Sequence, residues 1–133
     1  MIVTAESLSE TAFTLRSDLH DLVSDQSPDY GGQGLGPMPS ELLLWSVAAC
    51  FGQSIRYVAA RRRQPLADLS LEVSGTKDPE RFRFGEIVIT VRSSLDGKAL
   101  GQLVKQARNY CFVTNSLDVP VRVETASGRP DAP

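Results

Sequence analysis

An α+β fold is what this sequence predicts, and three observations carry the expectation. Residues that alternate apolar and polar at strand period come in neighbouring pairs, around 11–25 and again around 69–91. Between the pairs stands one long, strongly apolar segment that begins at Pro39, and a second stretch near residue 100 carries a helical stripe. The order strand, strand, long helix, strand, strand, helix, strand puts hairpins rather than single parallel strands between helices, which disfavours a doubly wound sheet.

Each element has a local reason. Residues 11–17 and 21–25 flank a polar break at 18–20, with Phe13 and Leu15 alternating with Thr14 and Arg16, and are expected to form an antiparallel hairpin. Residues 26–38 hold four glycines and two prolines, the composition of a shaped loop, whose glycines are expected to let backbone pass close to the helix start. Pro39 suits the first helical position, and Glu41 places a negative charge in the first turn, where the helix dipole favours it. The helix is expected to run to about Arg63, with cations at its C-terminal end and Pro65 as its stop. Its first half, from Leu42 to Ala49, is apolar on all sides and is expected to be buried all round.

Leu69, Leu71 and Val73 read as a half-buried strand, followed by a turn over 75–80. In the next strand Phe82 and Phe84 occupy even positions while Ile87, Ile89 and Val91 occupy odd ones, so the inward phase slips by one residue and a bulge is predicted at Gly85. Leu100, Leu103, Val104, Ala107, Tyr110 and Cys111 follow the stripe of an amphipathic helix, which turns Cys111 toward the core. Val119, Val121 and Val123 form a last strand, and Pro120 argues for an edge. A single domain over 1–124 with a flexible tail over 125–133 is the expected organisation.

Composition excludes several classes. The chain has 133 residues, 41% hydrophobic and 23% charged, which is ordinary for a globular protein and rules out disorder throughout. Fourteen basic against sixteen acidic residues give a net charge of −2, so no global positive field is available to hold nucleic acid. The longest apolar stretch, Leu42 to Phe51, is well short of the about twenty residues a bilayer-spanning helix needs, so no membrane partner is expected. Residues 1–10 lack the basic start and apolar core of a signal peptide, which leaves the cytoplasm as the expected location. Two cysteines and one histidine do not supply the four ligands of a structural zinc site, and no cofactor is expected. Gly32 and Gly34 are followed by Pro37 where a dinucleotide fingerprint needs a third glycine.

Cys50 is the first chemical candidate. On a helical wheel its neighbours are Ser46, Val47, Gln53 and Ser54, so polar groups flank it on one side of an apolar helix. A thiol in purely apolar surroundings is inert and serves as a small hydrophobe, whereas a cation nearby and a second thiol would make it redox-active. Cys111 is the candidate for that second thiol; a bond between the two would close a loop of about sixty residues. The aromatic residues Tyr30, Trp45, Phe51, Tyr57, Tyr110 and Phe112 lie near the two cysteine segments in sequence and suit either an apolar pocket or an ordinary core. His20, alone in a turn, and Arg61 to Arg63, at a helix end, read as surface residues.

The run Gly31-Gly32-Gln33-Gly34-Leu35-Gly36-Pro37-Met38-Pro39-Ser40-Glu41-Leu42-Leu43-Leu44, continuing through Ala48-Ala49-Cys50, resembles the signature of the OsmC/Ohr family of thiol-dependent hydroperoxide reductases. Ala107-Arg108-Asn109-Tyr110-Cys111-Phe112-Val113-Thr114-Asn115-Ser116-Leu117 is similar to the family segment that holds the second redox cysteine. The resemblance implies an OsmC-like fold, antiparallel sheets wrapped around two central helices in an intertwined homodimer. It implies reduction of an organic hydroperoxide substrate, with Cys50 as the peroxidatic cysteine, Cys111 as the resolving one, and an external dithiol, lipoyl-type or another small one, as reductant. Arg16 is the best positional match to the family arginine that attends the reactive thiol, although it alternates away from Phe13 and Leu15. The family acid commonly stands ten residues before the reactive cysteine; here Ser40 holds that place and Glu41 stands nine before. Nine steps back on a helix lie about 180° from Cys50, against about 80° for ten, so Glu41 assists only if the first turn is distorted. This departure suggests an OsmC-like branch other than typical Ohr.

Two other readings remain open on the residues. One is a non-catalytic dimeric module that binds an apolar ligand and keeps its cysteines as core residues. The other is a redox sensor that forms the disulfide with negligible turnover.

Overall fold

The alternation of Phe13 and Leu15 produces the expected hairpin within a three-stranded antiparallel sheet, β1 (Thr4–Ser7), β2 (Phe13–Arg16) and β3 (Asp21–Ser24), in the order β1-β2-β3. Phe13 stands opposite Ser24 and Arg16 opposite Asp21. Strand β1 has no apolar alternation, all four residues are exposed, and it pairs with β2 through the backbone. The computed structural model describes residues 1–128. The chain divides into two compact units, Met1–Leu43 and Leu44–Pro133.

In the first unit the loop over 26–38 is organised by Asp25, which is 1% exposed. Its carboxylate accepts hydrogen bonds from the Thr11 hydroxyl at 2.6 Å and from the backbone N–H groups of Gln26, Gln33 and Leu35 at 2.7, 3.1 and 3.2 Å. A buried carboxylate is tolerable on such terms, because every donor it faces stabilises the charged form. Two glycines make the wrap possible. A Cβ on Gly32 would overlap the carbonyl of Gln26, and one on Gly36 would overlap the carbonyl of Val23. The glycines therefore bring the loop against the end of β3, rather than against the helix start as the sequence suggested.

The long helix, α1 (Pro39–Arg61), begins and ends as predicted to within two residues. At its C-terminus Arg63 takes a left-handed φ of 52°, while Arg63 and Gln64 return hydrogen bonds to Ala60 and Ala59. The expectation of all-round burial in the first half is corrected. Trp45 is 60% exposed and Ala49 is exposed, while the buried positions are Val47, Phe51, Ser54, Ile55, Val58 and Ala59. These recur at helical spacing, so one face packs and the opposite face does not. At 23 residues, with a mean hydropathy of 1.3 in its most apolar stretch, α1 is long and apolar enough to cross a membrane by length and composition. Its packing against strands identifies it as a core helix.

The second sheet contains β4 (Ser70–Lys77), β5 (Phe84–Ser93) and β6 (Val121–Ser127), in the order β4-β5-β6. Thr76 stands opposite Glu86 and Lys77 opposite Phe84, which leaves Gly85 as the extra residue of a bulge at the predicted position. Phe82 lies outside the strand and is 98% exposed. Strand β6 lies at the predicted edge, but it runs parallel to β5, so the second sheet is mixed rather than antiparallel. Apolar alternation sets which side chains face inward and is blind to strand direction. Residues 125–127, assigned to a tail from the sequence, pair with Val91, Arg92 and Ser93; the rest of that tail beyond 128 lies outside the described residues.

Helix α2 (Gly97–Ala107) starts at Asp96, whose carboxylate accepts the Lys98 N–H at 2.8 Å. It buries Leu100, Leu103, Val104 and Ala107 as its stripe predicts. The α-helix stops there: Arg108–Tyr110 form a tighter 3₁₀ turn, and α3 (Phe112–Asn115) follows Cys111. One core unites Val47, Phe51, Ile55 and Val58 of α1 with Ile87, Ile89 and Val91 of β5 and the apolar face of α2.

Candidate functional site: two cysteines joined by one helix face

Cys50, Ser54 and Tyr57 recur at intervals of three and four and so share one face of α1. All three meet the segment that carries Cys111. Cys50 is half-buried against the core cluster and Cys111 is fully buried; both are free thiols. Their side chains stand close enough for Cys50 to act on the ionisation of Cys111 through a hydrogen bond and through charge. Four residues along the helix, the Ser54 hydroxyl lies 2.8 Å from the Cys50 carbonyl and 3.0 Å from the carbonyl of Tyr110, the residue before Cys111. One turn further, the Tyr57 and Tyr110 rings meet edge to face at 5.0 Å. The Arg61 guanidinium donates to the Tyr57 hydroxyl at 2.9 Å, and that contact holds the arginine charge more firmly.

Burial pushes the Cys111 thiol above its ordinary value of 9.0. The Thr114 hydroxyl and N–H oppose this by favouring the thiolate, and the neighbouring Cys50 adds to the rise. Cys111 is accordingly a protonated thiol at neutral pH, positioned beside Cys50. Two thiols in this relation can exchange between a dithiol and a disulfide without a long excursion of the chain.

The other two residues singled out from the sequence have local partners. Arg16 on β2 forms an ion pair with Glu6 on β1 at 3.1 Å, both side chains being more than half exposed. A pair of this kind contributes little to stability. Glu41 accepts the Met38 N–H at 3.2 Å, which satisfies one of the donors left open at the start of α1. Among the described residues no cluster of three His, Cys, Asp or Glu side chains could hold a metal ion.

Residues 32–126 match the family described as OsmC-like protein. The chain belongs to the OsmC-like family. Solved structures share the fold over nearly the whole length. An OsmC-like protein from Mycoplasma pneumoniae is 19% identical with a TM-score of 0.82, covering 96% of this chain and 96% of that one. The organic hydroperoxide resistance protein OsmC of Legionella pneumophila, described as a predicted redox protein, is 26% identical with a TM-score of 0.71 and the same coverage. The organic hydroperoxide resistance protein OhrB of Bacillus subtilis is 26% identical with a TM-score of 0.70, covering 94% of this chain and 96% of that one. No curated protein matches the sequence. The OsmC-like assignment supports a redox, peroxidase-like role in general terms.

Within this OsmC-like chain the aromatic residues near the cysteines do not act as one group. Phe51 is buried, Tyr57 and Tyr110 meet edge to face at the surface, and Tyr30, Trp45 and Phe112 are exposed. A cavity of about 180 Å³ is lined by Phe51, Arg108, Thr114, Asn115 and the three valines 119, 121 and 123. Ser54 is the residue whose importance the sequence under-reads: its place one turn after Cys50 was visible, but its second partner, a carbonyl 56 positions away, is set only by the fold.

Proposed function

We propose that this OsmC-like protein reduces organic hydroperoxides to alcohols through Cys50 and Cys111. The observation that carries the reading is the placement of Cys111, buried and reduced, against the Cys50 side chain. The Cys50 thiolate attacks the outer peroxide oxygen; the O–O bond breaks, the alkoxide takes up a proton and leaves as alcohol, and Cys50 becomes a sulfenic acid. The Cys111 thiol then attacks the Cys50 sulfur, a disulfide forms, and the hydroxyl departs with a proton as water. An external dithiol, lipoyl-type or another small one, returns both cysteines to thiols and is itself oxidised to a disulfide. Arg16 is assigned the role of favouring the Cys50 thiolate; Glu41 is assigned a supporting role beside its helix-start hydrogen bond. The names of the Legionella and Bacillus neighbours support the substrate class.

The test is steady-state consumption of cumene hydroperoxide with excess dihydrolipoate. Sustained turnover is expected, faster than with hydrogen peroxide, and Cys50→Ser should abolish it. A single stoichiometric oxidation without turnover would instead establish a sensor, and no oxidation a binding module.

We also propose that the working form is a homodimer. Its support is the apolar surface the single chain leaves open, including Trp45 on α1 and Phe13 and Leu22 on the first sheet. Sedimentation as a folded monomer at micromolar concentration would overturn it.

A further inference from the structure

The segment that carries Cys111 is tied to α1 at one buried polar point. Ser54 is 5% exposed, and its hydroxyl lies between two carbonyls, that of Cys50 at 2.8 Å and that of Tyr110 at 3.0 Å. A serine inside a helix satisfies itself on the carbonyl four residues back, so the first contact alone would be local. The second is different in kind. Tyr110 ends the 3₁₀ turn Arg108–Tyr110, where carbonyls are left without partners, and the Ser54 hydroxyl reaches this one from another element. The two carbonyls share its one proton and belong to Cys50 itself and to the residue before Cys111.

We propose that Ser54 is a positioning residue for the disulfide step, holding the backbone beside Cys111 in register with Cys50. The inference rests on the two-cysteine reading for its use, but its geometry does not depend on peroxide chemistry. Ser54 exchanges no proton with either sulfur; it fixes how often the thiols stand at bonding distance, which is the effective concentration of one for the other. Replacing it by alanine removes this donor from the Tyr110 carbonyl, while the Tyr57–Tyr110 ring contact and the core remain to hold the fold.

The experiment is the equilibrium between the Cys50–Cys111 disulfide and glutathione, read by thiol alkylation and mass in a series of reduced and oxidised glutathione mixtures. Two cysteines exchange electrons with two glutathiones, so the equilibrium constant is the effective concentration sought. Ser54→Ala is expected to lower that constant by about tenfold, and Ser54→Thr, which keeps the hydroxyl, to recover most of it. Circular dichroism and thermal melting of the reduced proteins accompany the series. An unchanged constant in Ser54→Ala overturns the proposal. So does a loss that Ser54→Thr fails to recover although it melts with the parent, since the hydroxyl would then not be what matters. Because glutathione replaces the hydroperoxide, failure of the peroxidase reading would leave this result intact, and the two failures are distinguishable.

Discussion

Asp25 shows how a single residue turns a glycine-rich run into a defined loop. Four donors converge on its carboxylate, the Thr11 hydroxyl having the largest effect, and together they hold its pKa below the ordinary 3.8 against the opposing effect of burial. A folded-state pKa below the unfolded one means that the unfolded chain binds the proton more readily. The stability Asp25 contributes is therefore present at neutral pH and lost as pH falls below 3.8 toward the depressed value. Asp25→Asn should be less stable than the parent at pH 7 and should lose less on going to pH 3, measured as urea midpoints at both values. Equal losses in the two proteins would contradict this role. Asp25 was legible only as a polar residue at the end of a strand pattern, because its partners at 11, 33 and 35 are assembled by the fold. Glu41, by contrast, was read from position alone, since a helix start makes the same demand in any fold.

Elements were legible where the signal is a count along the chain. The bulge at Gly85 follows from a slip between even and odd apolar positions, which Phe84 carries, Phe82 lying outside the strand. The stripe of α2 placed Cys111 on the core side correctly, even though the α-helix ends at Ala107 and a tighter turn continues it. Strand β1 and the last three residues of β6 escaped because backbone pairing, not apolar alternation, holds them. Close approach is equally silent in sequence. Gly36→Ala would drive a Cβ into the Val23 carbonyl, so the loop must leave β3, and a loss of about 1–3 kcal/mol is expected in urea unfolding. Gly101→Ala in α2 meets open space and should gain up to about 1 kcal/mol. Equal effects of the two substitutions would show that the close approach at Gly36 is not constraining.

At the scale of the whole molecule, the family and the α+β architecture were legible because the glycine loop, the helix start and both cysteine segments lie in recognisable runs, and residues 32–126 match the OsmC-like family. The exposed face of α1 was not legible, since an all-apolar run gives no indication of which side a second element covers. We propose that these scales meet in one place: a face of α1 brings a buried second thiol to Cys50, and the pair cycles between dithiol and disulfide. Intact mass under denaturing conditions, after one equivalent of cumene hydroperoxide, decides between cycling and inert thiols, with Cys50→Ser and Cys111→Ser measured alongside. The expected result is rapid loss of two hydrogens in the parent, a sulfenic acid trapped in Cys111→Ser, and no rapid oxidation in Cys50→Ser. Both thiols remaining reduced for hours in the parent would contradict the claim.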